Sequence, residues 1–309
     1  MATQSPVLLL IFNRPDLTGQ VFNAIRIAKP NQLFIAADGP RNEMEKILCE
    51  ETRSVVENID WECKVHRLYR EKNLGCKVAV SEAITWFFDS VEEGIILEDD
   101  CLPIVDFFTF CDTMLNQYRN NPQVGHISGA SFIESKPSSE YNHYLSSLGY
   151  IWGWACWKKT WDKYVLDPLA EEKVEWSSLP GNFFQKMYWY NNLAQIHLGK
   201  LNTWDFQLQY CLWKNKFMSV VCVNNLVKNI GFDERATHTT QAIEKYIVDT
   251  TPIENMSFKA MPEEIAQEMV HQAMQTLFSR NKVIVTLKFF KNKLSIWKLK
   301  LFQTDNAKV

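Results

Sequence analysis

A chain of 309 residues, 46% apolar and 22% charged, is long enough to bury a large α/β core and too ordinary in composition for a disordered or fibrous protein. Its net charge of −3 excludes a general attraction to nucleic acid, so charge has to be read locally. The eight cysteines form no C-x-x-C pair and no zinc spacing, which points to reduced thiols in a cytosol rather than a disulfide frame or a zinc site.

The first element is a strand over residues 7–12. This apolar stretch of six residues follows a lead without Lys or Arg, too short and too uncharged in its flank for a signal peptide or a membrane span. Pro15 opens a helix to about residue 27, since proline suits the first helical turn. A second strand at 33–37 runs into Asp38-Gly39-Pro40. A charged helix over 43–58, a strand at 63–69, a turn at Lys72-Asn73-Leu74-Gly75 and a helix to residue 88 follow. Strands thus alternate with helices over the first hundred residues, the βαβ signature of a doubly wound sheet.

The next strand is the most informative. Gly94-Ile95-Ile96-Leu97 drives straight into Glu98-Asp99-Asp100, and Cys101-Leu102-Pro103 returns at once to apolar residues. A continuous apolar run reads as an interior strand of a parallel sheet, and ligands of open α/β sheets gather beyond the carboxyl ends of such strands. Three adjacent acids there repel one another unless a cation sits among them, and hard oxygen ligands suit Mg²⁺ or Mn²⁺. A solvated acidic turn is the bland alternative. Neither a G-x-G-x-x-G nor a G-x-x-x-x-G-K-[ST] string occurs, so dinucleotide-binding and P-loop readings lose ground.

Residues 124–213 read as irregular and aromatic-rich, including Trp152, Trp154 and Trp157, and stretches of this kind build substrate pockets on a scaffold. With 11 tryptophans the chain holds more indole than packing alone needs. Core packing remains the default for each. Asp205 opens a segment whose apolar positions recur at helical spacing, which places it in a first turn, as a helix cap or as a general base.

Taken in order, Asn13-Arg14-Pro15, Ala37-Asp38-Gly39, the Glu98-Asp99-Asp100 triplet, the Trp152-Gly153-Trp154 segment, Thr203-Trp204-Asp205, and Asn229-Ile230-Gly231-Phe232 leading to Ala236-Thr237-His238-Thr239 form a familiar series. Over residues 5–240 the chain resembles nucleotide-sugar glycosyltransferases of the GT-A fold, specifically the N-acetylglucosaminyltransferase I-like group and related bacterial family-2-type enzymes. The resemblance implies an α/β fold with a Rossmann-like, mostly parallel sheet flanked by helices. It implies a catalytic domain over 1–240, with a nucleotide-binding half at about 1–122 and an acceptor-binding half at 123–240, followed by a helical extension at 241–309. Asp100 would ligate Mn²⁺ or Mg²⁺ with His238 completing the site, Asp99 would meet the ribose and Glu98 the donor sugar. Asp38 would accept from the uracil N3–H, Asn13 and Arg14 would cradle the nucleotide, and Lys77 would reach a phosphate. Asp205 would be the general base of an inverting transfer, and Trp152, Trp154 and Trp157 would offer stacking faces to the acceptor.

In the tail, Arg280, Lys282, Lys288, Lys291, Lys293, Lys298 and Lys300 fall between Glu268 and Asp305 without an intervening acid. Val283, Leu287, Phe290, Leu294, Trp297 and Leu301 recur at spacings of four and three. This basic amphipathic helix over 280–302 suits an anionic membrane surface, the inner face in a cytoplasmic protein, and with it a lipid-linked or glycan acceptor; packing on the catalytic domain or a partner chain is the competing view. A metal-dependent nucleotidyltransferase or phosphatase, and a non-catalytic nucleotide-sugar-binding module, remain the other function classes.

Overall fold

The structure is a computed structural model that describes residues 2–132, 140–171, 174–232, 248–254, 258–278 and 280–306, with 300–306 as backbone alone. The first half follows the expected alternation: β1 (Val7–Ile11), α1 (Pro15–Ala28), β2 (Gln32–Ala37), α2 (Glu43–Val55), β3 (Lys64–Tyr69), α3 (Cys76–Phe88), β4 (Glu93–Glu98), β5 (Cys101–Pro103) and α4 (Val105–Tyr118). The segment expected to be irregular is instead largely regular. It holds β6 (Val124–Ser128), β7 (His143–Ser146), β8 (Trp154–Trp157), two short helices α5 (Lys158–Trp161) and α6 (Pro168–Glu171), then α7 (Phe183–His197) and α8 (Asp205–Lys214). After it come β9 (Met218–Cys222), β10 (Val227–Asn229), α9 (Glu263–Phe278) and α10 (Lys282–Asn306).

Eight strands form one sheet in the order β3-β2-β1-β4-β8-β6-β9-β7. The pairs β3–β2, β2–β1 and β1–β4 are parallel, while β8 runs antiparallel between β4 and β6. The sheet is therefore parallel through its first four strands and mixed beyond them. From β1 the chain winds outward to β2 and β3, then returns to place β4 on the other side of β1, with Leu10 beside Glu98. This reversal is the topological switch point, where open α/β sheets form a crevice at the strand carboxyl ends.

The apolar runs are explained by burial on both faces. Val7, Leu9, Ile35, Ile95 and Leu97 pack toward α1 and α4, whereas Leu8, Leu10, Phe34 and Ile96 pack toward α3 and α8. With side chains alternating across a strand, a sheet covered on both sides leaves no position for polar residues. Each such Leu or Ile contributes roughly 1.5–3 kcal/mol by its burial. A third cluster joins Tyr144, Trp189 and Tyr210 to Met269, Met274 and Leu277 of α9. The extension after residue 240 thus shares a core with the second half of the sheet.

His126 on β6 is fully buried, stacked on Trp154 at 5.3 Å, and neither ring nitrogen has a hydrogen-bond partner among the described residues. Burial pushes its imidazole down to about 3, and that of His143, which shares a 2.8 Å hydrogen bond with the Tyr118 hydroxyl, down to about 4. The unfolded chain takes up these protons near 6.5 while the folded chain refuses them. Stability is accordingly full above that value and is lost as the pH falls below it. His126→Phe should remove about 2–3 kcal/mol of the stability difference between pH 7.5 and pH 4.5, measured by urea unfolding at both values.

Candidate active site

The carboxyl ends of β1 and β4 bring Arg14 against the acidic triplet. Arg14 caps α1 ahead of Pro15, and its Nη2 donates to Asp99 Oδ1 and lies 3.0 Å from Asp100 Oδ2. The Phe12 amide donates to the other Asp99 oxygen at 3.1 Å. Burial pushes the Asp99 carboxyl up to about 6; Arg14 opposes this and Asp100 reinforces it. Burial likewise lifts Glu98 well above the usual carboxylate range, reinforced by Asp100 and Asp99. Burial also disfavours the Arg14 charge, but Asp99 and Asp100 together more than offset it and hold the guanidinium protonated. One fixed cation therefore faces three acids, an arrangement that favours a further positive charge.

Two cavities meet at this point, sharing Arg14, Cys76 and Glu98 in their walls. The smaller, about 200 Å³, is lined by Asn13, Asp38, Arg70, Asn73, Asp99 and Asn202 among others. The larger, about 510 Å³, carries Asp100, Asp205, Trp152, Tyr188, Asn229 and Phe232 on its walls. Cys76 marks the convergence: burial first, then the charges of Glu98, Asp205, Asp38 and Asp100, push its thiol up.

Asp100 is held from both sides. Its carbonyl accepts from the Ile230 amide at 2.8 Å, and a side chain at Gly231 would collide with its carboxylate, so only glycine allows the strand pair β5–β10 to close here. Among the described residues no three metal-binding side chains converge. Mg²⁺ and Mn²⁺ do not need such a cage when one or two carboxylates act with substrate phosphates. Asp100, with Glu98 beside it, fits that mode. His238 lies outside the described residues.

Across the larger cavity, Asp205 is the first residue of α8, while Trp204, which makes no side-chain cap, is the N-cap. The Thr203 hydroxyl donates to Asp205 Oδ1. Trp204 stacks on the buried Trp154 at 5.7 Å and accepts from the Tyr164 hydroxyl at 3.2 Å through its carbonyl, which anchors the turn that presents Asp205. Helix capping is therefore not what places an aspartate at this position.

The remaining predicted residues divide. Trp152 lies on the cavity wall, edge-on to Phe132 at 5.3 Å and Phe232 at 5.7 Å. Trp154 and Trp157 do not: they are 0% and 3% exposed within β8, a central strand covered on both faces, and have no stacking face to offer an acceptor. Asn13 lines the smaller cavity and donates to Glu45 at 2.8 Å. The side chain of Lys77 is not among those lining either cavity; its amide donates to Asn202 Oδ1 at 2.9 Å. Asn202 thereby ties the start of α3 to the loop before Asp205. Sequence reasoning missed Asn202, although it adjoins the Thr203-Trp204-Asp205 motif, and missed the Arg41–Glu45 pair behind Asn13.

Asp38 reaches the smaller cavity with its carboxylate already occupied. It accepts from the amides of Gly39 (2.9 Å), Leu74 (3.0 Å) and Gly75 (3.0 Å) and from Asn73 Nδ2 (3.1 Å). A carboxylate has about four acceptor positions, so its first role is to hold the turn that leads into α3, where Gly75 adopts a φ of +78°. Asp38→Ala should cost about 1–3 kcal/mol of folding stability by stranding these donors. Denaturant unfolding checks this, and unchanged stability alongside weakened nucleotide binding would instead make Asp38 a base-pocket residue.

No family model matches the chain, and no curated protein matches it. Among solved structures it is similar to HddC from Yersinia pseudotuberculosis, at 13% identity and a TM-score of 0.34 over 52% of this chain and 80% of that one. It is similar to 4-diphosphocytidyl-2C-methyl-D-erythritol synthase from Anaerococcus prevotii, at 10% identity and a TM-score of 0.31 over 55% and 80%. An apo UDP-glucose pyrophosphorylase gives 10% identity and 0.33 over 70% and 90%. At these scores the likeness assigns no activity.

Proposed function

We propose that the chain is a divalent-metal-dependent glycosyltransferase that moves a sugar from a UDP-sugar, or another nucleoside-diphosphate sugar, to a glycan or lipid-linked acceptor by a single inverting displacement. The observation that carries this reading is the joined pair of cavities, with Arg14 and Glu98 at the junction and Asp100 and Asp205 both on the larger. The nucleoside would occupy the smaller chamber and the sugar the larger. Asp100, with Glu98 and with His238 by the resemblance, would hold Mn²⁺ or Mg²⁺. When bound, that cation stabilises the negative charge developing on the departing diphosphate.

The protein's own groups do the rest. Arg14, kept protonated by its acidic neighbours, adds a fixed positive charge beside the diphosphate. Asp205 takes the proton of the acceptor hydroxyl as that oxygen attacks the anomeric carbon, while Thr203 fixes its carboxylate. Trp152 offers an indole to the apolar C–H face of an acceptor sugar.

A second reading, metal-dependent nucleotidyl transfer, is favoured by one observation: the fold brings Asp205 to the same cleft as Asp100, giving paired carboxylates that lie far apart in sequence. One assay separates the two. With Mn²⁺ and a panel of nucleotide sugars, the glycosyltransferase reading expects slow hydrolysis that releases free nucleoside diphosphate. Release of pyrophosphate from a nucleoside triphosphate and a sugar 1-phosphate, without that hydrolysis, would replace it.

A further inference from the structure

Helix α10 is apolar on two faces. At 3.6 residues per turn Val285, Phe289 and Ile296 form one stripe, and each is at most 7% exposed. That stripe lies on α7, where Asn191 Nδ2 donates to the Val285 carbonyl at 2.9 Å and Asn292 Nδ2 to Asn191 Oδ1 at 3.3 Å. The helix is therefore fixed to the catalytic domain. Its other apolar row, Val283, Leu287, Phe290, Leu294 and Trp297, points roughly the opposite way and is between 52% and 66% exposed. Single exposed apolar residues are ordinary, but a continuous row along four helical turns marks a docking surface.

Charge selects the occupant. Lys288, Lys291 and Lys298 are exposed along one flank of the row. Lys282 and Lys293 lie along the other, over the rings of Phe184 at 5.2 Å and Phe289 at 4.7 Å. No Asp or Glu occurs between Glu268 and Asp305. A second copy of the chain seated on this row would set lysines against lysines, with no acid beside the row on either helix before Asp305. Among the described residues no helix is long and apolar enough to cross a membrane.

We propose that this face of α10 docks on anionic phospholipid bilayers, with α10 in the interface plane, the row from Val283 to Trp297 at the acyl boundary and the flanking lysines at the phosphate headgroups. The arrangement orients the enzyme. α7 carries Met187 and Asn191 under α10 and Tyr188 and Asn192 on the wall of the larger cavity, so the thickness of the two helices, up to about 20 Å, separates the docked face from the cleft. Leu277 and Phe278, immediately before α10, line the same cavity. A bilayer under α10 would thus hold the cleft close to acceptors embedded in the membrane.

The test is flotation of the full-length protein with vesicles of phosphatidylcholine alone and of phosphatidylcholine mixed with phosphatidylglycerol, without nucleotide or metal, so that its result is independent of the proposed transfer. Binding is expected on the mixed vesicles, weaker on the neutral ones, and reduced by salt. The triple variant Lys288→Gln, Lys291→Gln, Lys298→Gln should bind about a hundredfold more weakly, and Leu287→Ser with Phe290→Ser should bind at least about tenfold more weakly. Both variants should keep the wild-type melting temperature, since all five side chains are exposed. If the serine variant melts early, the lysine variant alone decides. Absence of binding to the mixed vesicles, binding unaffected by the lysine changes, or a stable dimer in light scattering that the serine changes dissociate would each overturn the proposal.

Discussion

Asp100→Ala is expected to abolish sugar transfer and to remove divalent-dependent binding of the nucleoside diphosphate. Asp100 lines the larger cavity together with Glu98, while Asp99 is buried and committed to Arg14 and the Phe12 amide. On the proposed reading the cation would lose its principal protein ligand, and the loss of one such electrostatic contact alone costs about 10²–10³-fold in rate. The fold should survive, because Arg14 keeps Asp99 and the β5–β10 pairing rests on backbone. Calorimetric titration of UDP with and without Mn²⁺ measures the effect. Undiminished Mn²⁺-dependent binding by the variant would remove the metal assignment.

Asp205→Asn is expected to lower turnover by roughly 10²–10⁴-fold while donor affinity stays nearly unchanged. Asparagine retains the shape and an oxygen to accept from Thr203 but has no basic lone pair for the acceptor proton. Because Trp204 is the N-cap and Asp205 the first helical residue, the substitution should leave the melting temperature almost where it was. Steady-state kinetics with a competent acceptor separates the two effects. Near-normal turnover would pass the base role to another carboxylate and leave inversion unsupported.

Much of the first half was legible in the sequence, for a simple reason. Strands β1, β2 and β4 are buried on both faces, so each residue of Val7–Ile11 or Gly94-Ile95-Ile96-Leu97 had to be apolar, and the abrupt turn to Glu98-Asp99-Asp100 marked the carboxyl end of a central strand. The helices between them have one buried and one solvated face and announce themselves by their period. By the same logic α7 was not legible: with neighbours on several sides, its segment Phe183–His197 mixes Trp, Tyr and Asn around the whole circumference and shows little contrast between faces. The strands β7 and β8 were lost in the same aromatic background.

Other features were decided only by residues arriving from far along the chain. Asp38 reads as a ligand-binding carboxylate until the turn at Asn73-Leu74-Gly75 occupies its lone pairs. Trp152 and Trp154 are two residues apart, yet one lines a cavity and the other is sealed between Trp204 and His126. In α10 the sequence displayed one apolar row, Val283 to Trp297, as the face to be covered, whereas packing on α7 chose the stripe through Val285, Phe289 and Ile296 and left the first row outside. Local periodicity reports which positions are apolar, and a helix with two apolar stripes satisfies it twice; only the shape of the neighbouring surface determines which stripe is buried. The sequence by itself thus determined the strands of the first hundred residues, their succession along the chain and the acids at the end of β4, because these follow from burial and alternation within a few residues. The tertiary structure decided which of those acids and aromatics face a cavity, because that depends on contacts between segments tens of residues apart in the chain.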